Sequence, residues 1–537
     1  MRGISGRKWE LLYKHIKPPR ELEERYGKLL AQLLVNRGFE KEAELILEPK
    51  LSGIPSLKEL GGVEEAIERI LKAVKKKERI IIYGDYDVDG ITGTAILYQI
   101  LKEVGAKVIP ILPDRNTGYG LNRKLMEIFE KYADLLITVD NGTSSVGEID
   151  KSSIDTIVVD HHNVPDEIPK KAILINPKLG TSEELKYLSS SAITFFLAAG
   201  LIRELNIDED PRNFLDLVAL GLLADYMPLK KVNRILSYKG LKLLEFVAKG
   251  KINKTGVRAL LEVALRGRES ISSKDVYFSL APRLNAAGRI SKPNIALNLL
   301  VEKNEKRAKL LALQLDLINK RRQYLTRITY GEAIEKAEKH KDDPFIVVWD
   351  ERWHPGILGI VAGRLSHYFG KPVAVFSKGR NKSVGSIRSS EDIEVYGKIK
   401  TLSHMFLKWG GHDKAMGLTL PTHKLEEFRD KVNILFKNVE KAQLITPVDM
   451  ELKPEEINEE TLKAIKKLEP FGEGNPEPVF ITTVKTLEIS AKGLFINGVQ
   501  FYCHEKELLP YLKEGKKILY KIQNGTPVLE DIENGIS

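Results

Sequence analysis

Acidic side chains and histidines directly follow three short apolar segments in the first third of the sequence. They are Asp85, Asp87 and Asp89 in the run DYDVDG, Asp140 in the run DNG, and His161 and His162 in the run DHH. Carboxylate oxygens combined with imidazole nitrogens suit Mn²⁺ or Mg²⁺ better than a metal that prefers thiolates. The residue types therefore predict a centre for hard divalent cations, and the single cysteine, Cys503, excludes a cysteine-rich zinc site.

The apolar segments that precede these residues have the composition of strands that are buried on both faces. They are rich in Ile, Val and Leu and lack polar alternation, which is typical of a parallel sheet covered by helices. The predicted strands are residues 79–84, 107–112, 134–139, 156–159 and 172–175. Because ligands of such sheets collect beyond the carboxyl ends of the strands, we expect the Asp and His side chains to meet at one edge.

Each of these residues also has a simpler structural explanation. An Asp after a strand is commonly a turn former or a helix N-cap, as Asp140 alone would be, and paired histidines commonly belong to the surface or the core. The combination of several such Asp residues with paired histidines at successive strand ends favours a metal site over these explanations.

The order DYDVDG, DNG and DHH resembles the DHH phosphoesterase superfamily, which is named for its Asp-His-His motif. Within it, the sequence is similar to the RecJ family of single-strand-specific exonucleases. That similarity is carried by LADYMPL (223–229) with Asn233 and Arg234, and by APRLNAAGR (281–289). The associated DHHA1 domain is matched by WHPGI (353–357) to Arg364, by GSIRS (385–389) and by GGH (410–412), and PFGEGNP (470–476) resembles the segment leading into the OB-fold. The combination is far more specific than any single motif.

This resemblance implies a site for two divalent metal ions, with Mn²⁺ preferred and Mg²⁺ as the alternative. The implied ligands are Asp87, Asp89, Asp140, His161 and Asp225, with Asp85 and His162 beside them or on the scissile phosphate. Two such cations can deprotonate a water, hold the phosphodiester and neutralise the leaving 3′-oxygen without a protein nucleophile. Asp225 depends most on the resemblance, because it lies near the end of a helical run and could simply end that helix.

The resemblance also suggests where the substrate is held. The predicted phosphate contacts are Arg115, Arg283, Asn285, Arg289, Ser386, Arg388, Gly411 and His412. Arginine offers a planar donor fork suited to phosphate, although a surface arginine in a glycine-rich turn is an equal alternative for Arg115. Residues 283–289 are predicted as a loop, which contacts the phosphate backbone or is simply solvated. Ser386, Arg388 and backbone near Gly411 are expected to hold the terminal phosphate of the 5′ end.

Five regions are predicted along the chain, and they define an α/β fold class. A helical extension (1–55) precedes a parallel-sheet DHH catalytic domain (56–300), which a long connecting helix (301–341) joins to a DHHA1 α/β domain (342–445) and a C-terminal OB-like β-barrel (446–537). The two lobes are expected to close a cleft that admits one strand and excludes a duplex. The basic run at Lys320, Arg321 and Arg322 would lie between them, or would form a solvated face.

Composition limits the class of protein and of partner. With 42% hydrophobic and 29% charged residues, and no apolar run of about 18 residues or more, the chain is neither wholly disordered nor a membrane bundle. The first residues contain no apolar signal core, so we expect a cytoplasmic protein without a membrane partner. We also expect the protein to be a monomer. The net charge of +10 favours a polyanion, but residues 446–537 contain 11 Lys or Arg against 16 Asp or Glu, so the positive charge belongs to the other regions.

The leading hypothesis is a single-stranded-DNA-specific exonuclease that works from the 5′ end and releases 5′-mononucleotides in recombination and DNA repair. A helicase and a single-strand-binding protein are candidate partners, and cleavage of RNA stays open. The alternative is a small-substrate phosphodiesterase acting on short oligonucleotides, cyclic dinucleotides or nucleotide bisphosphates, although such relatives are typically shorter. A catalytically inactive replication scaffold is disfavoured, because such relatives lose metal-binding acids and every implied ligand position is filled here.

Overall fold

The computed structural model describes residues 1–13, 16–114, 120–390, 393–439, 443–491, 493–523 and 525–535 of the 537-residue chain. The chain forms two compact units, and each combines segments that are distant in sequence. We call His15–Asn319 with Ile457–Pro478 the large unit, and Met1–Lys14, Lys320–Glu456 and Val479–Ser537 the small unit.

In chain order, the strands are Lys8–Leu11 (β1), Arg79–Gly84 (β2), Lys107–Ile111 (β3), Leu135–Val139 (β4), Asp155–Val159 (β5), Ala172–Ile175 (β6), Ile346–Asp350 (β7), Val373–Lys378 (β8), Lys382–Arg388 (β9), Lys408–His412 (β10), Ala415–Pro421 (β11), Ile445–Val448 (β12), Met450–Glu451 (β13), Phe480–Thr483 (β14), Leu487–Ser490 (β15), Gly493–Ile496 (β16), Val499–Cys503 (β17), Lys517–Gln523 (β18) and Thr526–Ile532 (β19).

The α-helices are Arg20–Tyr26 (α1), Lys28–Asn36 (α2), Ala43–Leu47 (α3), Val63–Lys75 (α4), Val88–Glu103 (α5), Arg123–Tyr132 (α6), Val146–Ile149 (α7), Ser190–Glu204 (α8), Leu215–Ala224 (α9), Lys231–Ala248 (α10), Thr255–Leu265 (α11), Ser273–Asp275 (α12), Ala281–Ile290 (α13), Asn294–Val301 (α14), Glu305–Glu338 (α15), Leu358–Phe369 (α16), Tyr396–Lys400 (α17), Leu425–Phe436 (α18) and Glu459–Lys467 (α19).

The large unit is built on a parallel sheet with the strand order β3-β2-β4-β5-β6. The five strands predicted from the sequence are all present, each within one residue of its predicted ends. One face packs in a core with residues of α4, α5 and α8, and the other packs against α6, where Phe129 is fully buried. Burial on both faces explains the continuous apolar strands, and the register places the carboxyl ends of β2, β4 and β5 side by side.

A segment from late in the chain completes the large unit. Arg234 on α10 is fully buried, and its guanidinium donates hydrogen bonds to the carbonyl oxygens of Ile46, Leu468 and Glu469. Burial, helped by the nearby Arg37 charge, lowers the pKa of Arg234 to about 10. Residues 457–478 therefore belong to the large unit, although they fall inside the region predicted as the C-terminal barrel.

The small unit contains a mixed sheet with the strand order β10-β11-β9-β8-β7, in which only β7 and β8 are parallel among the described pairs. One of its faces forms a core with Phe376, Ile387 and Phe428, and α16 packs against the other. A further seven-stranded sheet, β13-β14-β18-β19-β17-β16-β15, forms the predicted C-terminal β domain.

The extension predicted as helical over residues 1–55 contains α1 to α3, but it begins with a strand. Lys8–Leu11 is a strand that pairs in parallel with β12, and Trp9 is buried with its Nε1 donating to Asp531 Oδ2 at 2.9 Å. Because the partner strand lies at Ile445–Val448, no local sequence pattern indicates this pairing.

The long connecting helix is confirmed as α15, although the boundary between the two units falls inside it, after Asn319. Among the described residues, no helix has both the length and the apolar composition needed to cross a membrane.

Candidate metal centre and phosphate contacts

The loop between β2 and α5 carries the first acids of the candidate metal centre. Asp85 is buried directly after β2, and its Oδ1 accepts a hydrogen bond from the Tyr86 backbone N–H at 2.7 Å. Asp87 is the N-cap of α5, and its Oδ1 accepts from the Gly90 N–H at 3.1 Å. Gly90 allows this tight turn, because a Cβ there would lie 2.6 Å from the Asp85 nitrogen. Asp87 therefore does cap a helix, and it also takes part in the acidic cluster described below.

Asp89 lies in the first turn of α5, and its carboxylate contacts the amino end of α8. The backbone N–H groups of Ser190 and Ser191, at the start of α8, donate to Asp89 at 2.6 and 3.1 Å. Burial, together with the charge of Asp87, raises the pKa of Asp89 to about 6 against these hydrogen bonds. The sequence does not reveal that these serines contact Asp89, although three serines before an apolar run are a typical helix N-terminus.

Asp140 follows β4 in the left-handed conformation, with φ at 68°, and its side chain is buried. Its Oδ1 accepts a hydrogen bond from the Ser190 hydroxyl at 3.0 Å and lies 3.3 Å from His161 Nε2. Burial raises the pKa of Asp140 well above its ordinary value, and the charges of Asp87 and Asp89 raise it further.

Asp225 reaches the same cluster from the carboxyl end of α9. Its Oδ2 lies 3.4 Å from His161 Nε2. Helix α9 approaches α5 closely at Gly221, where a Cβ would lie 2.6 Å from Asp89 Oδ1. Burial raises the pKa of Asp225 well above its ordinary value, and the negative charges of Asp89 and Asp87 raise this pKa further. Asp225 therefore ends a helix and also lies beside His161, and its role as a metal ligand stays a prediction.

His162 is oriented by a carboxylate whose role the sequence analysis did not assign. Its Nδ1 lies 2.7 Å from Asp160 Oδ1, and Asp160 Oδ2 accepts the Thr143 backbone N–H at 3.0 Å. Burial lowers the pKa of His162, but the hydrogen bond and charge of Asp160 outweigh it and raise this pKa to about 9. Burial likewise disfavours ionised Asp160, yet its partners hold its pKa well below the ordinary value.

The described residues contain two overlapping groups of side chains that could each hold a metal ion. One group is Asp140, His161 and His162, the other is Asp85, Asp87 and Asp140, and the ligand atoms within each group lie within 4.8 Å of one another. Crowded buried carboxylates raise one another's pKa values, and divalent cations relieve that repulsion. Hard oxygen and imidazole donors that share Asp140 therefore fit a pair of Mn²⁺ or Mg²⁺ ions. Asp225 lies outside these two groups but contacts His161, and Asp89 is linked to Asp140 through Ser190, which donates to both. The ligand assignment of each residue stays a prediction.

The predicted phosphate contacts in residues 283–289 lie on a helix rather than in a loop. Arg283 on α13 is tied by its Nε and Nη2 to Asp316 at 2.9 and 2.8 Å, and its Nη1 donates to the Ser279 carbonyl at 2.7 Å. Pro282 near the start of α13 is compatible with a helix, because the first turn needs no partner for its N–H groups. Arg283 thus makes structural contacts within the large unit.

Helix α13 also contacts the acidic loop directly. A Cβ at Gly288 would lie 2.5 Å from the Tyr86 carbonyl oxygen, so the two backbones touch. Asn285 and Arg289 are four residues apart and share one face of this helix, where both are partly exposed. Arg115 lies outside the described residues.

In the small unit, Ser386 and Arg388 lie on one face of β9 beside the amino end of α16. Arg388 Nη1 donates to the Ser386 hydroxyl at 3.3 Å. A Cβ at Gly359, in the first turn of α16, would lie 2.8 Å from Arg388 Nη2 and 3.2 Å from Ser386 Oγ. A hydroxyl, a guanidinium and the start of a helix therefore converge, and the sequence analysis did not identify Gly359.

The neighbouring hairpin extends this face of the sheet. Across the strands, Arg388 is in register with Ala415 and His412, so the exposed His412 shares its face. Ser386 is in register with two glycines, Gly417 and Gly410, and a Cβ at either would meet no atom within 4 Å. Gly411 alternates to the opposite face of β10, where it is in register with Met416, and its φ is 147°. We call Ser386, Arg388 and Gly359 the anion site.

Family models match three parts of this chain. The "DHH family, N-terminal domain" covers residues 79–222, the "DHHA1 domain" covers residues 342–438, and the "RecJ OB domain" covers residues 448–498. With the acidic cluster at the strand ends, they define a metal-dependent phosphodiester hydrolase of the DHH and DHHA1 class.

Curated relatives identify the family within this class. The chain is 34% identical over 510 residues to the single-stranded-DNA-specific exonuclease RecJ of Haemophilus influenzae, covering 89% of this chain and 87% of that protein. It is 33% identical over 486 residues to RecJ of Escherichia coli, covering 84% of this chain and 82% of that protein. The chain therefore belongs to the RecJ family of single-stranded-DNA-specific exonucleases. It spans 59% of the length of the Bacillus subtilis RecJ, to which it is 34% identical over 86% of its own length.

Solved structures agree with this assignment. RecJ from Thermus thermophilus in complex with Mn²⁺ has a TM-score of 0.85 and 26% identity, over 99% of this chain and 80% of that one. The Mg²⁺ complex of the same enzyme has a TM-score of 0.79 and 25% identity, over 99% of this chain and 79% of that one. The predicted fold class is confirmed, and the prediction of Mn²⁺ or Mg²⁺ agrees with the metals in these neighbours and with the acidic and histidine cluster of this chain.

Proposed function

We propose that this chain removes nucleotides one at a time from the 5′ end of single-stranded DNA and releases 5′-mononucleotides. The observation that carries the proposal is the cluster at the carboxyl ends of β2, β4 and β5, in which two potential ligand groups share Asp140. A cluster of this composition is suited to phosphodiester hydrolysis without a protein nucleophile.

The ligands that we assign are Asp87, Asp89, Asp140, His161 and Asp225, with Asp85 and His162 beside them. When bound, a pair of Mn²⁺ or Mg²⁺ ions supplies an activated water and neutralises charge on the phosphate. The chain's own contribution is to hold the ligands in place. Ser190 fixes Asp140 through its hydroxyl, the amino end of α8 fixes Asp89, and Asp160 fixes the ring of His162.

We assign the polarity of the reaction to the anion site of the small unit. A terminal 5′-phosphate can accept hydrogen bonds from the Ser386 hydroxyl and the Arg388 guanidinium, next to the positive end of α16. Recognition of a terminal phosphate selects a strand end over an internal position. On the large unit, we assign Arg289 and Asn285 to the phosphate backbone, because their helix contacts the acidic loop at Tyr86.

The proposed cellular role is DNA recombination and repair in the cytoplasm, where a helicase and a single-strand-binding protein would supply and hold the single strand. The chain would act as a monomer. These partners follow from the need of such an enzyme for unpaired DNA, since a duplex has to be opened before it can be degraded.

Product analysis on end-labelled DNA tests the proposal. The substrates are single- and double-stranded oligonucleotides with a label at either end and with a 5′-phosphate or a 5′-hydroxyl, incubated with Mn²⁺, Mg²⁺ or a chelator. We expect early release of the 5′ label as a mononucleotide, only from single strands and only with metal. Earlier release of the 3′ label would disprove the polarity, and equal hydrolysis under chelation would disprove the metal-dependent mechanism.

A further inference from the structure

Three aromatic rings lie next to one another in the large unit, beside Asp225 of the candidate metal centre. Tyr226 follows Asp225 and has a φ of 55°, a left-handed conformation that residues other than glycine rarely adopt. Its ring centre lies 5.5 Å from that of Tyr277, which lies 6.5 Å from that of Phe278 in an edge-to-face arrangement. We call Tyr226, Tyr277 and Phe278 the aromatic platform, and it has no role in the function proposed above.

Two of these three rings are open to solvent. Phe278 is 75% exposed and Tyr226 is 55% exposed, whereas Tyr277 packs against the core of the unit. Leaving a large apolar ring in water is unfavourable, and adjoining exposed apolar groups mark binding surfaces more often than single ones do. Aromatic side chains in such positions are the surfaces on which unpaired nucleic-acid bases stack.

The platform is held in place by two segments that the sequence analysis singled out for their resemblance to the family. The Leu229 N–H donates to the Glu473 carbonyl oxygen at 2.8 Å, which joins the segment that contains Tyr226 to the segment 470–476. Gly472 leaves room for Tyr277, because a Cβ there would collide with the Tyr277 hydroxyl. Both segments therefore support the ring that lies between the two exposed ones.

Phe278 shares a helical face with the predicted backbone contacts on α13. It lies in the π-helical turn Val276–Leu280, which leads into α13, and such turns often occur at functional sites. Phe278 precedes Asn285 by seven residues and Arg289 by eleven, spacings that return to the same side of a helix. The burial pattern agrees, because Asn285 and Arg289 are partly exposed whereas residues 286–288 between them are buried. A strand that follows this face meets the phosphate contacts and the exposed ring in succession.

The position of Phe278 along this face indicates which part of the strand it contacts. Gly288 touches the acidic loop at Tyr86, and Phe278 lies ten residues before Gly288, about 15 Å along the helix axis. A stacked nucleotide covers about 3.4 Å of a strand, so this distance exceeds one nucleotide. An enzyme that releases mononucleotides from the 5′ end has a single nucleotide on the 5′ side of the bond that it cleaves. A base at Phe278 therefore belongs to the strand on the 3′ side of that bond.

We propose that Phe278, supported by the rings of Tyr277 and Tyr226, stacks on a base of the strand that is retained after each cleavage. The inference rests on the proposed function, because the direction from 5′ to 3′ defines which part of the strand is retained. Stacking on Phe278 accepts each of the four bases, since every base has a π face. The stacked base holds the remaining strand on the large unit while the released nucleotide leaves.

A scan with abasic nucleotides tests the assignment. Strands with a 5′-phosphate and a label at either end carry one abasic nucleotide at successive positions from the 5′ end, and kcat/KM for release of the first nucleotide is measured. In the wild type we expect loss of one base, at the second position or later, to lower kcat/KM roughly tenfold, the scale of one stacked base. Phe278→Ala should lose a similar factor on the intact strand and should no longer respond to that abasic position. A general defect in folding would instead lower kcat/KM on every strand and leave the profile of the scan unchanged.

Further variants and a binding measurement separate stacking from other effects. Phe278→Trp keeps a ring and should keep the wild-type profile, whereas Phe278→Leu keeps apolar bulk without a ring and should resemble Phe278→Ala. Phe246→Ala is the matched control and should match the wild type, because Phe246 near the end of α10 is also exposed, at 43%. With a chelator present, Phe278→Ala should raise the Kd for single-stranded DNA roughly tenfold without changing its salt dependence, since stacking releases no counterions.

Three outcomes would overturn the stacking role of Phe278. They are an unchanged kcat/KM of Phe278→Ala on the intact strand, the same scan profile in wild type and variant, or a difference between them that is confined to the first nucleotide. Failure of the proposed function is distinguished by the label, because a wild type of the opposite polarity would release the 3′ label first from every strand of the scan.

Discussion

The candidate metal centre of the large unit and the proposed anion site of the small unit are built by opposite means. In the candidate metal centre, Asp89 on α5, Asp140 after β4 and Asp225 after α9 lie close together. Burial and the repulsion between their charges raise their pKa values. In the anion site, the decisive feature is space, because Gly359 leaves room for the Arg388 guanidinium. In the first region, carboxylates repel one another, and bound cations would relieve that repulsion. In the second, a guanidinium lies in the space that Gly359 leaves.

The largest effect should follow from removing the residue shared by both ligand groups of the metal centre. Asp140→Ala should lower the rate of single-strand hydrolysis by at least about two to three orders of magnitude, the usual cost of losing one group that stabilises a transition state. Binding of single-stranded DNA in the absence of hydrolysis should persist, because the anion site is untouched. Steady-state hydrolysis and fluorescence-anisotropy titrations measure the two quantities.

The matched control for Asp140→Ala is Asp166→Ala, which removes an exposed carboxylate of the same unit and should leave both quantities unchanged. Wild-type hydrolysis by Asp140→Ala would show that the acidic cluster does not perform the chemistry.

A smaller effect should follow from filling the gap of the anion site. In Gly359→Ala the new methyl group would lie 2.8 Å from Arg388 Nη2, so the guanidinium has to move. We expect the preference for a 5′-phosphate over a 5′-hydroxyl to fall roughly tenfold, the value of about one hydrogen bond to a charged group. Initial rates on the two substrates measure this preference.

Gly397→Ala serves as the comparison variant, because a Cβ at that helical position would meet no atom within 4 Å. It should keep the wild-type preference. A preference that survives Gly359→Ala would place the terminal phosphate elsewhere.

The smallest effect concerns stability without metal. The pKa of Asp89 is raised from 3.8 to about 6, mainly by burial. As the pH rises from about 4 to 6, the unfolded chain loses this proton while the folded metal-free protein retains it, so the group lowers the free energy of unfolding. The total change is on the order of 3 kcal/mol at about 1.4 kcal/mol per pKa unit.

Asp89→Asn removes this titration. In thermal unfolding with a chelator, the difference in Tm between the variant and the wild type should shift in favour of the variant from pH 4 to 6. Saturating Mn²⁺ should remove this pH-dependent change in the Tm of the wild type, because the metal ion binds the ionised carboxylate of Asp89. A Tm difference that is independent of pH in the chelated proteins would contradict the raised pKa.

The two regions also differ in how far sequence alone predicts them. The parallel strands and the residues at their ends could be predicted, because burial on both faces produces continuous apolar runs and parallel strands end at one edge. The local pattern also indicates that a helix starts at Ser190 and Ser191, but it does not indicate that their N–H groups contact Asp89. Contacts of this kind depend on how two helices pack, which spacing along the chain does not encode.

The gaps in the prediction have the same origin in tertiary structure. Arg283 was predicted in a phosphate-binding loop, but its partner Asp316 lies on another helix. Gly359 is an ordinary glycine in the sequence, and its importance depends on Arg388, which approaches it from a different strand. The resemblance to a family supplied Ser386 and Arg388, because no local pattern distinguishes them from other polar residues on a strand.

The buried guanidinium of Arg234 has a consequence for how the chain folds during synthesis. It donates hydrogen bonds to the carbonyl oxygens of Leu468 and Glu469, which leave the ribosome more than two hundred residues after Arg234 itself. Until then this charge lacks most of its acceptors, and burying an incompletely paired charge is costly. The unit that contains the acidic cluster can therefore reach its final packing only after residues 468 and 469 have been synthesised, however early its sheet forms.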